Sequence, residues 1–89
     1  MRETPYATEL CDPGVVRWPE IDEEARMERL RIRDSGQIEI RFSWWKGGKM
    51  VPRPLDLEEN QLITLFADAI NNNVFSREFL TDLRRLLDS

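Results

Sequence analysis

From Arg29 to Trp45 the chain alternates apolar and polar side chains with a period of two, and this rhythm constrains the fold more than any other feature. Leu30 and Ile32 interleave with Arg29, Arg31 and Arg33; Ile38, Ile40, Phe42 and Trp44 interleave with Glu39, Arg41, Ser43 and Trp45. Successive side chains of a strand point to opposite faces, so the pattern predicts half-buried strands. Asp34-Ser35-Gly36 tolerates positive φ and joins the two runs as a hairpin. Lys46-Gly47-Gly48-Lys49 supplies a second turn, leading into Met50-Val51-Pro52-Arg53-Pro54-Leu55. The prolines, two apart, remove donors from one side of that segment and predict an edge strand that resists further pairing.

The period then becomes helical. Asp56 stands three residues before Glu59 as a capping pair, and Leu62, Leu65, Phe66, Ala69 and Ile70 follow on one face. Asn71-Asn72-Asn73 offers a left-handed exit. Ser76 caps a second helix whose apolar face is Phe79, Leu80, Leu83, Leu86 and Leu87, with Arg84 and Arg85 at its carboxyl end. The expected fold is α+β: a three-stranded antiparallel β-meander followed by two C-terminal α-helices packed on one sheet face. The helices are expected to cover the face carrying Ile38, Ile40, Phe42 and Trp44.

Ahead of the meander, residues 1–19 carry Pro5, Pro13, Gly14 and Pro19 and are expected to form an extended or partly disordered N-terminal arm. A short strand fits Val15 to Trp18. Glu20 to Glu28 is dense in carboxylates and is expected to hold a short helical turn capped by Asp22. Residues 20–89 then form a single small α+β domain. With the arm loose, roughly 70 residues remain, a size at which dimerisation often supplies missing burial.

Composition narrows the chemistry. There is no histidine to act as a base near neutral pH, and Cys11 is the only cysteine, so an intrachain disulfide and a cysteine–histidine zinc site are both excluded. Asp12 beside Cys11 raises a thiol pKa, the acidic cluster Asp22, Glu23, Glu24 and Glu28 lacks the spaced ligands of a calcium loop, and Gly47-Gly48 is too short for a phosphate cradle. No cofactor, metal or catalytic residue is assigned. No apolar run approaches bilayer length, and a soluble, cytoplasmic chain is expected.

Charge is unevenly spread. Residues 1–28 hold three basic and eight acidic side chains, residues 29–53 seven and two, and residues 54–89 three and seven. The basic hairpin points to a binding function. Arg29, Arg31, Arg33, Arg41 and Trp45 are expected on the sheet face away from the helices, with Lys46 and Lys49 at the turn. Adjacent Trp44 and Trp45 face opposite ways, so one indole is expected near the surface, open to a partner or covered by the arm through Val15, Val16 or Trp18. The expected function is a protein–protein interaction module, homodimeric or an accessory or inhibitory subunit, that meets a protein partner through this arginine–tryptophan face. Nucleic-acid binding by the same basic face is the alternative, and pairing of the arginines with the chain's own carboxylates is the competing structural role.

Overall fold

The computed structural model describes residues 3–89. Five antiparallel strands form one curled sheet: β1 (Ala7–Glu9), β2 (Gly14–Trp18), β3 (Glu23–Ile32), β4 (Ile38–Lys46) and β5 (Lys49–Met50). Two helices follow, α1 (Glu59–Asn71) and α2 (Arg77–Asp88). The fold is therefore the α+β arrangement of a sheet followed by a helical pair.

The long strand β3 is the axis of the sheet. Along one edge it pairs with β2 through its first half, Val16 opposite Ala25, and with β1 through its second half, Thr8 opposite Arg31. Its other edge pairs with β4 along the whole hairpin. The extended chain expected at the N-terminus is thus incorporated in the sheet where it is described; Met1 and Arg2 of that arm lie outside the described residues.

The acidic stretch behaves differently from expectation. Only Pro19–Ile21 makes a helical turn, of the 3-10 type, and Asp22 leaves it in the left-handed region at φ 53°. Strand β3 begins at Glu23, because Ala25 and Met27 face the helices and are fully buried while Glu24, Arg26 and Glu28 pair on the other face. Carboxylates disfavour strands in isolation, but cross-strand arginines reverse that preference here.

Both glycine-bearing turns sit where the chain needs positive φ: Gly36 at 72°, Gly47 at 57° and Gly48 at 78°. Two consecutive left-handed residues at Gly47-Gly48 match the tight hairpin turn whose twist suits antiparallel strands. The third strand of the expected meander is cut short. Strand β5 ends at Met50, and Pro52 and Pro54 keep residues 52–58 out of the ladder.

Helix α1 starts later than the Asp56 cap predicts. Glu58 is its N-cap, and the Glu58 N–H donates to Gln61 Oε1 at 2.9 Å. Its Leu65 and Ala69 bury completely against Ala25 and Met27, joined by Val74 and Phe75 from the following turn. Asn73 takes the left-handed exit at φ 60°, and Ser76 Oγ caps α2 by accepting from the Phe79 N–H at 3.1 Å. Only the start of α2 reaches the core, through Leu80; no residue of α2 is buried. The two helices therefore share the sheet face unequally, α1 lying over β2 and β3 and leaving much of β4 uncovered.

Candidate interaction surfaces

The β3–β4 register decides which face each basic residue takes. It sets Glu28 opposite Arg41, Arg26 opposite Ser43 and Glu24 opposite Trp45, all on the face away from the helices. It also sets Arg29 opposite Ile40 and Arg31 opposite Ile38, which puts these two arginines on the helix side. The single basic face expected from the sequence is therefore divided between two faces. Leu30, expected with the isoleucines, lies opposite Glu39 and is buried on the Trp45 side. The cause is parity: each strand alternates correctly by itself, but the turn pairs Arg31 with Ile38 and brings the cationic row of one strand beside the apolar row of the other.

Away from the helices a closed polar network forms. Arg41 donates to both Glu28 oxygens, Nε to Oε1 at 3.0 Å and Nη2 to Oε2 at 2.9 Å. Ser43 Oγ donates to Glu28 Oε1 at 2.6 Å and accepts from Trp45 Nε1 at 2.9 Å. The Arg26 guanidinium lies 4.1 Å from the Trp45 ring centroid and also pairs with Glu24. Glu28 is 0% exposed and Trp45 only 9%. Trp45 is consequently an interior residue roofed by the Arg26 guanidinium, and the expectation of an exposed indole at this position is corrected.

The other basic residues are dispersed. Arg29 Nη1 donates to the Val74 carbonyl at 3.1 Å and so fastens the α1–α2 turn to the sheet. Arg33 donates from Nε to the Thr4 carbonyl at 2.6 Å and lies 3.6 Å from Glu3. Lys46 reaches Glu23 at 3.7 Å, while Arg31 and Lys49 are exposed.

Sequence reasoning missed two features. The first is the outer edge of β4. Strand β5 pairs only with Trp45 and Lys46, and Val51 N–H adds one bond to the Trp44 carbonyl at 2.8 Å. Among the described residues no strand pairs with this edge from Ile38 to Ser43. Because Trp44 offers its carbonyl outward, the two-residue period turns the backbone groups of Phe42, Ile40 and Ile38 outward as well. Ile38 and Phe42 beside this edge are 45% and 52% exposed, and the apolar stripe of α2 ends in Leu86 and Leu87 at 70% and 75%. Ile40 of this strand and Leu80 of α2 each pack against the core cluster. The second feature is a cleft of about 270 Å³ on the helix side, with Trp18 and Trp44 among its walls.

Burial pushes the Cys11 thiol above its ordinary pKa, reinforced by Glu9 and Asp12 and opposed by Arg29; its Sγ lies 3.5 Å from the Asn73 carbonyl. Among the described residues no three histidine, cysteine or carboxylate side chains are grouped to hold a metal, and no helix is long and apolar enough to cross a membrane. No family model, curated protein or solved structure matches this chain, so its function has to be argued from the geometry above.

Proposed function

We propose that the chain is a non-enzymatic protein–protein interaction module that docks through the outer edge of β4 and the adjoining apolar side chains, and that its partner is a second copy of itself. The observation that carries this reading is the unpaired run Ile38–Ser43 with Ile38 and Phe42 exposed beside it. An open, hydrophobic edge is a template for another strand, and monomeric proteins usually blunt it with lysine, proline or a covering loop. Pro52 and Pro54 end β5 early and leave β4 uncovered.

Self-pairing is favoured by the sequence of the edge. An antiparallel pairing of two β4 strands about a two-fold axis at Ile40 sets Ile38 against Phe42 of the second copy and Glu39 against its Arg41. Apolar then meets apolar on the helix side, and opposite charges meet on the other, the cross-strand pairs that stabilise a sheet. About six main-chain hydrogen bonds close such a seam. The surface is isologous, as a two-fold dimer requires.

Of the basic residues expected to bind, Arg41 sits in the seam, Arg31 pairs with Ile38 at its end, and Arg29, Arg33, Lys46 and Lys49 flank it. A nucleic-acid reading draws less support, because the register divides the cations between two faces. Sedimentation velocity between about 1 and 100 μM, the range of ordinary self-association, tests the proposal. The wild-type chain is expected to dimerise and the Ile38→Lys/Phe42→Lys variant to sediment as a folded monomer, since both side chains are already exposed. A wild-type chain that stays monomeric throughout refutes the self-pairing.

A further inference from the structure

The cleft on the helix side of the sheet lies apart from the β4 edge and invites a different kind of ligand. Trp18 on β2 and Trp44 on β4 flank it, Glu23 on β3 lies between them, and Ile21, Gln61 and the segment from Pro54 to Leu57 complete its walls. Trp18 pairs with Glu23, and Trp44 with Ala25, so both indoles rise from the same face with only β3 between their strands. Two interstrand spacings across and two residues along the strands set their Cα atoms about 12 Å apart. That gap admits one ammonium or guanidinium group within ~6 Å of both rings, the range over which an aromatic face attracts a cation.

The charges around the cleft agree. Glu23 and Asp56 are part of its wall, and Glu20, Asp22 and Glu58 adjoin the wall residues in sequence. Two of the chain's own cations stand at its border: Lys46, 3.7 Å from Glu23, and Arg53, whose guanidinium lies 5.4 Å from the Trp44 ring centroid. The Arg53 contact shows that Trp44 already engages a guanidinium in this fold. At about 270 Å³ the cleft has room for one side chain and falls just below the ordinary range of small-molecule sites.

We infer that the cleft between Trp18 and Trp44 binds an organic cation with an apolar stem, either the head of a lysine or arginine side chain on a protein or a free quaternary ammonium ion. The indole faces supply the cation attraction, Glu23 and Asp56 the opposite charge, and Ile21, Leu55 and Leu57 the contact for the stem.

The test is a titration of the full chain followed through the indole N–H resonances, with choline, Nα-acetyl-lysine amide and Nα-acetyl-arginine amide as probes and neutral 3,3-dimethylbutan-1-ol as the isostere of choline. The Trp18 and Trp44 signals are expected to move with the cations, while Trp45, closed on the opposite face, stays in place as an internal reference. Whichever cation binds tightest identifies the source of the natural ligand. Asp56→Asn, at an exposed position, is expected to weaken binding about 1.5–5-fold, the effect of an exposed charge pair. The inference is overturned if the neutral isostere moves the two indoles as much as choline does, or if no cation moves them. Neither outcome touches the β4 edge, whose test is oligomeric state.

Discussion

Replacing Gly14 by alanine tests how α1 is seated on the sheet. A Cβ at position 14 meets Ala69 N, Cα and Cβ at 2.6 Å each, well inside any real carbon contact. Two of those three atoms are helix backbone, so relief requires α1 to move away from β2 by roughly 1 Å to reach ordinary van der Waals separation. That movement strains two bonds which hold the helix to the N-terminal chain: Val15 N–H to Asp68 Oδ2 at 2.7 Å, and Asn72 Nδ2 to the Pro13 carbonyl at 2.8 Å. Overpacking costs about 1–3 kcal/mol, and weakening a bond to a carboxylate adds about 1 kcal/mol, so Gly14→Ala is expected to destabilise by roughly 2–4 kcal/mol. For a domain of this size that lowers Tm by roughly 10–30 °C. Urea denaturation and thermal melting measure it. Trimming the opposing residue, Ala69→Gly, is expected not to restore stability, because it leaves the helix backbone in place and adds about 1 kcal/mol of helix cost. A Gly14→Ala variant within 0.5 kcal/mol of wild type, or full rescue by Ala69→Gly, refutes the account.

Three other perturbations probe the remaining chemistry. Glu28→Ala leaves Arg41 and Ser43 without their shared acceptor in a buried setting and is expected to cost about 3–5 kcal/mol by denaturation; Glu28→Met combined with Arg41→Met is expected to recover most of it, and equal losses in both variants contradict the network as drawn. Because the folded state raises the Cys11 pKa, its contribution is present below the ordinary thiol value and is lost as pH rises through that value toward the folded one. Stability is therefore expected to decline above about pH 8.5 with a slope that Cys11→Ala removes, and an unchanged slope rules the assignment out. Retention on a nucleic-acid column at low salt is expected to be weak and unaffected by Arg31→Ala with Lys49→Ala; strong retention that falls steeply with salt and is lost in that variant would favour the nucleic-acid reading.

The local features of the fold were legible because the signals that specify them are local. Gly36 and Gly47-Gly48 mark turns that need positive φ, and Ser76 with the α2 heptad pattern marks a helix regardless of surroundings. Strand identity at Glu23–Glu28 was hidden because four of six side chains there are charged, and their partners Arg17, Arg41 and Lys46 lie on other strands. The candidate site suffered from the same dependence on distance. Alternation within each strand revealed two chemically distinct rows but not which rows meet, since a one-residue shift in pairing exchanges faces. Trp44 and Trp45 were separable in orientation from the sequence, yet the closure of Trp45 depends on Arg26 and Ser43 arriving from both strands.

The placement of β3 also shapes the order in which the molecule is assembled. The β2–β3, β3–β4 and β4–β5 pairs join consecutive strands and require only short loops to close, whereas β1 reaches β3 across residues 10–22 and the seat of Ala69 on Gly14 spans most of the chain. Short closures are entropically cheap and form early. The sheet is accordingly expected to supply the nucleus, with α1 closing over it after the rate-limiting barrier. Kinetic folding measurements discriminate the order: a substitution at Gly36 should slow folding, while Ala69→Gly should chiefly accelerate unfolding, and the reverse assignment would place the helix in the nucleus.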